Sequence, residues 1–144
     1  GALERLDEAQ EVLARAIGIF EAEGFVESPT MGRALTLLGS LRIQAGEAQA
    51  AEGALREALT IWESAETPDP VQLSQTKAQL GRALFLTDRA EEAEPLLTDA
   101  YAEMRQVGGE AHPVSRRVAG WLVDLYITLD RPAQADVFRS LSEG

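Results

Sequence analysis

A spacing of 42 residues recurs along this 144-residue chain. Leu38-Gly39 returns as Leu80-Gly81, and Leu122 falls at the next step. Ala51-Glu52 returns as Ala93-Glu94 and then as Ala135-Asp136. Leu55 and Ala58 return as Leu97 and Ala100, and Asp88-Arg89 as Asp130-Arg131. One step back from Ala51 and Leu55 lie Ala9 and Leu13, so a partial copy precedes the first full one. A single spacing held without a gap at several positions restricts the chain to a repeat architecture, in which each copy buries its apolar face against its neighbours. The copies fall at 30–71, 72–113 and 114–144 after a partial one at 1–29, all within a single repeat domain over 1–144.

Within a copy the apolar period is helical. Leu35, Leu38, Leu41 and Ile43 mark one stretch, Gly46 interrupts it, and Ala48, Ala51, Leu55, Ala58, Leu59 and Trp62 follow. Spacings of three and four residues make a buried stripe, and the stretches are too long for strands. Each copy therefore reads as a hairpin of two helices. The A helices fall near 30–45, 71–86 and 114–129, and the B helices near 47–66, 89–107 and 131–142. A solitary B-type helix spans about 3–23.

The punctuation agrees. Gly46, Asp88 and Asp130 stand at the turn inside each hairpin, where tolerance of left-handed backbone is useful. Ser28-Pro29, Thr67-Pro68-Asp69-Pro70 and Glu110-Ala111-His112-Pro113 separate the copies. Each ends one helix and supplies a Pro suited to the first turn of the next.

Leu-Gly in the first helix, a small turn residue, and Ala-Glu with spaced Leu and Ala in the second resemble the tetratricopeptide repeat. The usual unit has ~34 residues, so this one is longer by about one turn per helix. Gly108-Gly109-Glu110-Ala111-His112-Pro113 and Ala93-Glu94-Pro95-Leu96-Leu97 are similar to the long repeats of kinesin light chains. Such repeats also occur in bacterial signalling regulators and the C-terminal halves of bacterial serine/threonine kinases. Trp121-Leu122-Val123-Asp124-Leu125-Tyr126, followed by Asp130-Arg131-Pro132, resembles the close of such kinase arrays. The last copy departs from the pattern, with Val123 in place of the Gly and Arg139 in place of the core Leu, as suits a terminal unit. The resemblance implies an all-α fold, a right-handed solenoid of antiparallel hairpins with about seven helices, and a scaffold role in protein binding.

Charge is divided between the two kinds of helix. The A helices carry Arg33, Arg42, Lys77, Arg82, Arg116 and Arg117 against Asp124, a sum of +5, within a chain whose net charge is −11. The first three B-type helices are acidic, with runs such as Glu91, Glu92, Glu94, Asp99 and Glu103. In the family the A helices line the concave face. Its groove-facing positions fall here on Arg33, Thr36, Ser40 and Gln44 in the first copy. In the second they fall on Gln75, Arg82 and Phe85, and in the third on Arg117, Asp124 and Ile127. Arginines beside apolar groups suit an acidic peptide or a C-terminal carboxylate, which guanidinium binds in a fork. Arginines that merely balance acidic neighbours would contribute little. The carboxylate clamp of the family's chaperone-tail binders uses Asn, and this chain has none.

Other chemistries find little footing. The absence of Cys excludes disulfides, thiolate metal sites and a cysteine nucleophile. His112 is the only histidine and stands in an interhelix turn, which reads as structural. Trp62, Trp121, Tyr101 and Tyr126 read as packing groups, with Trp121 beside Gly120 a secondary candidate for a ligand contact. No carboxylate spacing matches a metal loop and no Gly-rich loop suits phosphate. No metal, cofactor or enzymatic activity is expected. The negative charge disfavours nucleic acid and anionic membranes, and no run reaches a membrane span. The chain starts Gly1-Ala2, read as a tag remnant on a piece of a longer, cytoplasmic protein. Leu3, Leu6, Val12, Leu13, Ile17 and Phe20 spread around a B-type helix that lacks its A helix. Upstream repeats, or a second copy in a homodimer, would cover them. The expected function is capture of a peptide or protein segment in the groove. The alternative is a spacer or oligomerisation segment of a larger signalling protein.

Overall fold

The structure, a computed structural model, describes residues 1–143, and seven helices occur among them: α1 (Ala2–Ala22), α2 (Pro29–Gln44), α3 (Ala48–Ser64), α4 (Pro70–Leu86), α5 (Ala90–Gly108), α6 (Pro113–Thr128) and α7 (Pro132–Glu143). The A helices are α2, α4 and α6, and the B helices α3, α5 and α7, with α1 as the solitary B-type helix. Each lies within two residues of its sequence-based bounds. The chain divides into two compact units, Gly1–Pro68 and Asp69–Gly144.

Each A helix starts in the same way. Pro29, Pro70 and Pro113 occupy the first turn, where a missing N–H leaves no bond unmade. The residue before each Pro caps the helix. Ser28 Oγ accepts from the Met31 N–H at 3.1 Å, Asp69 Oδ1 from Val71 at 3.0 Å, and His112 Nδ1 from Val114 at 3.1 Å. These bonds satisfy donors that the helix itself leaves orphaned.

Each A helix also ends in the same way. Gly46, Asp88 and Asp130 have φ of 82°, 62° and 57°. The left-handed residue lets the next N–H fold back onto the last helical turn. Glu47 donates to the Arg42 carbonyl at 2.7 Å, Arg89 to Leu84 at 2.9 Å and Arg131 to Tyr126 at 2.8 Å. Donors and acceptors alike are 42 residues apart, so one hydrogen bond closes three hairpins.

Small residues set how closely the helices pair. In the first unit α2 packs on α3 and α1 on α2. A Cβ on Gly39 would stand 2.4 Å from Leu55 Cγ, and one on Gly32 would stand 2.8 Å from Trp62 Cζ2. Met31, Leu35, Leu38, Ala51, Ala58 and Trp62 are buried around these contacts. In the second unit α4 pairs with α5 and α6 with α7, while α5 packs on α6 and α4 also reaches α6. Gly81 lies on Leu97, with 2.8 Å from a would-be Cβ to Leu97 Cγ. Leu80, Leu84, Met104, Leu122 and Leu125 complete that core.

One polar clasp crosses the α4–α5 pair. Lys77 Nζ meets Glu103 Oε1 at 2.7 Å, and the Ser74 hydroxyl donates to Glu103 Oε2 at 2.7 Å. In the last copy Val123 is half-buried, and Arg139 turns outward to Asp136 at 2.6 Å. A cation at the core-Leu position is accommodated because that face of α7 meets solvent.

Candidate peptide-binding surface

The expected groove residues divide by unit. In the first unit all four lie on α2. Arg33 is exposed, and its guanidinium reaches only Thr30 Oγ1, at 3.5 Å, among the described residues. Thr36 turns inward. Its hydroxyl donates to the Gly32 carbonyl at 2.9 Å and accepts from Trp62 Nε1 at 3.4 Å. It therefore supports the α2–α3 contact. Ser40 is half-buried, and Gln44 is exposed in the last turn of α2.

In the second unit α4 and α6 supply Gln75, Arg82, Phe85, Arg117, Asp124 and Ile127. Three of these converge. Arg82 Nη1 lies 3.5 Å from Asp124 Oδ2, and its guanidinium carbon stands 5.4 Å from the Phe85 ring centroid. The same carbon is 5.5 Å from the ring of Trp121. A planar cation is thus held between two π faces and tethered by a carboxylate, an arrangement suited to guanidinium and poorly matched by ammonium.

The helix geometry explains the convergence. Phe85 is one turn beyond Arg82 on α4, so the two share a face. Asp124 and Trp121 are three apart on α6 and share one in turn. Arg82 and Asp124 occupy the same position of successive copies, 42 residues apart. Like positions on neighbouring A helices sit side by side, and here they carry opposite charges.

Burial grades across the cluster. The Arg82 side chain is 22% exposed and that of Asp124 is 54% exposed. Ile127 is exposed, Phe85 and Gln75 are half-buried, and Arg117 is exposed without a carboxylate partner among the described residues. Trp121, only a secondary candidate for a ligand contact, was not among the expected groove positions, and the Arg82–Asp124 pairing was not anticipated. The signal was present, since two opposite charges stood one repeat apart. Chemically, the surface offers apolar rings beside an oriented guanidinium and a second, free one.

The remaining candidates take structural places. His112 caps α6, and its ring lies on Gly108, whose would-be Cβ would stand 2.6 Å from His112 Cδ2. Tyr101 and Tyr126 are buried, as expected of packing groups. Among the described residues no group of three His, Cys, Asp or Glu side chains could hold a metal ion, and no helix is long and apolar enough to cross a membrane.

Residues 1–64 match the family model described as tetratricopeptide repeat. The chain is also similar to the crystal structure of BtubC (BKLC) from P. vanneervenii, with a TM-score of 0.69 and 20% identity over 99% of this chain. That match covers 56% of the other chain, so the present one spans little more than half its length. No curated protein matches the sequence. The shared fold is the all-α solenoid of helix hairpins that the resemblance implied. The family match at residues 1–64, the unit that continues at 42-residue steps through α7, and the common fold together make the chain similar to tetratricopeptide-repeat proteins.

Proposed function

We propose that this chain is a non-catalytic interaction module that holds an acidic peptide, or the acidic segment of a protein, against the α4–α6 face of its second unit. Tetratricopeptide repeats serve generally in protein–protein interaction and scaffolding. The observation that carries the finer reading is the Arg82 guanidinium, oriented between Phe85 and Trp121 at a partly open surface. A cation already fixed in direction loses little freedom when a carboxylate docks on it. Arg117 supplies a second positive charge from α6, and Ile127 an apolar contact. The ligand carboxylate takes the place of Asp124, which turns to water. Residence in the cytoplasm belongs to the same reading.

A second reading, a spacer or assembly segment of a larger protein, is favoured by one fact: Arg82 already has its carboxylate in Asp124.

The test is titration of the chain with peptides that vary in acidity and in free or amidated C-terminus, at low and moderate salt. Arg82→Ala with Arg117→Ala is the key variant, and Arg33→Ala reports on the first unit separately. Salt-sensitive binding to acidic peptides, lost in the double variant, supports capture on the α4–α6 face. Binding indifferent to both arginines, or none at all, leaves the spacer reading.

A further inference from the structure

The linkers that precede α2, α4 and α6 occupy matching places in the repeat. Phe25 and Val26 stand in the first; one step of 42 gives Thr67 and Pro68, and the next gives Gly109 and Glu110. The later linkers carry no large apolar side chain there, so the repeat itself does not require one. Phe25 is 53% exposed and Val26 is 50% exposed, and Phe25 is the only exposed aromatic residue among the described ones. A missing neighbour does not account for this. In the second unit α4 precedes α5, and Glu110, at the place of Val26, still has a side chain that is 48% exposed.

The backbone under Phe25 is held on both sides. Gly24 has a φ of 83°, and the Phe25 N–H folds back to the Phe20 carbonyl at 2.8 Å. The Phe25 carbonyl in turn accepts from the Ser28 hydroxyl at 3.1 Å. The linker is therefore a fixed projection, whose backbone loses little freedom when it docks. Its surroundings are acidic. Glu21, Glu23 and Glu27 are exposed around the apolar pair, and the nearest cation in sequence is Arg33, in the second turn of α2. Such a projection suits a basic surface that also offers apolar groups.

We propose that Phe25 and Val26 of one copy dock on the α4–α6 face of a second copy, so that the chain is a ligand for itself. This depends on that face being a receptor for acidic segments. Leu86 and Ile127, 45% and 56% exposed, lie one turn beyond Arg82 on α4 and Asp124 on α6. They offer apolar contact to Phe25 and Val26. Arg82 and Arg117 outnumber Asp124 on the face, and Glu23 and Glu27 bring carboxylates to them. A foreign basic partner is the rival occupant, but every copy already carries a face of the required kind. The two surfaces differ, so the contact is head-to-tail, with the projection on the first unit and the receiving face on the second. A single linker offers less than the roughly 1,200 Å² of lasting complexes, so the association is weak and shows at high concentration. The net charge of −11 opposes approach at long range, and moderate salt, which screens charges beyond about 8 Å, relieves this.

Sedimentation velocity of the full chain over a concentration series, at about 0.15 M salt, tests this with two variants. Phe25→Ser with Val26→Ser removes the projection, and Arg82→Ala with Arg117→Ala removes the face. The mean mass of the unaltered chain should grow with concentration, and each variant alone should associate at least about tenfold more weakly. Mixed in equal amounts, the two should form a one-to-one pair and nothing larger, because one brings the only projection and the other the only face. That rescue also requires both variants to be folded. Association untouched by Phe25→Ser with Val26→Ser overturns the proposal, as does a mixture that fails to pair while both variants keep their helical signal. An unaltered chain that stays monomeric while acidic peptides still bind the α4–α6 face overturns self-docking alone. Loss of both self-association and peptide binding overturns the receptor reading as well. Capture of a basic apolar peptide by Phe25 without self-association also overturns self-docking, by assigning the projection to a foreign partner.

Discussion

The ring of Tyr126 lies nearly parallel to that of Phe138, 16° away with centroids 6.0 Å apart, and Phe138 in turn meets Tyr101 edge-on at 5.3 Å. Two helices of the terminal hairpin and the preceding B helix are joined through one aromatic side chain of α7. Burial in this cluster pushes the Tyr126 phenol up to about 12. A hydrogen bond from its hydroxyl to the Glu94 carboxylate and the nearby Glu94 charge add to the effect, while Arg131 opposes it. Arg131 itself binds Glu94 at 3.2 Å.

The sign of the pH effect follows from that shift. The fold favours the neutral phenol, so its contribution to stability is whole below the ordinary tyrosine value of 10 and disappears as pH rises through about 12. Absorbance of phenolate at alkaline pH should show Tyr126 ionising near 12, with loss of helical signal in the same range. Tyr126→Phe should flatten that dependence while keeping the stack on Phe138. Ionisation of both tyrosines near pH 10 without unfolding would contradict this account.

His112 should matter as a cap. Its Nδ1 accepts the Val114 N–H and so closes the start of α6. His112→Ala should cost about 1 kcal/mol, read as a fall in the denaturant midpoint with an unchanged slope. His112→Asn, which supplies another acceptor, should recover most of it.

The contact of Gly81 with Leu97 predicts strong coupling. Gly81→Ala alone forces a methyl group into the Leu97 side chain and should cost about 1–3 kcal/mol. Leu97→Ala alone opens a cavity and should cost about 2–5 kcal/mol. The double variant should lose clearly less than the two combined, because each change makes room for the other. Additive losses would mean that the helices separate freely. Ala93→Leu, at a fully buried position of the same interface, should also cost about 1–3 kcal/mol.

Asp124 should matter little for stability and more for binding. Its carboxylate is over half exposed, so Asp124→Asn should change the unfolding free energy by less than about 1 kcal/mol. It should also tighten binding of acidic peptides on the α4–α6 face, since it removes both a like charge and the competitor for Arg82. Weaker binding in this variant would show that Asp124 positions Arg82 for the ligand.

Turns and helix starts were readable from the chain because they depend on few residues. Gly46, Asp88 and Asp130 had to bear left-handed backbone, and Pro29, Pro70 and Pro113 could stand only in a first turn. Side-chain roles were less readable. Thr36 belongs to the expected groove face by periodicity, yet its hydroxyl can reach the Gly32 carbonyl one turn back, and Trp62 holds it there. Arg82 and Asp124 were assigned separately to the groove, and their pairing depends on the lateral spacing of α4 and α6, which no pattern along one helix encodes. The division at Pro68 and Asp69 falls in one of the proline-marked linkers, but the 42-residue step passes straight through it, so the repeat does not set this linker apart from the others.

The clasp between α4 and α5 has one further consequence. Lys77 is the only lysine in the chain. Its side chain is 16% exposed and its amine is engaged by Glu103. Reagents and enzymes that acylate, cross-link or conjugate lysine amines therefore meet one target, and the fold withdraws it. The outward positive charge of this protein resides in guanidinium groups, which such chemistry leaves untouched.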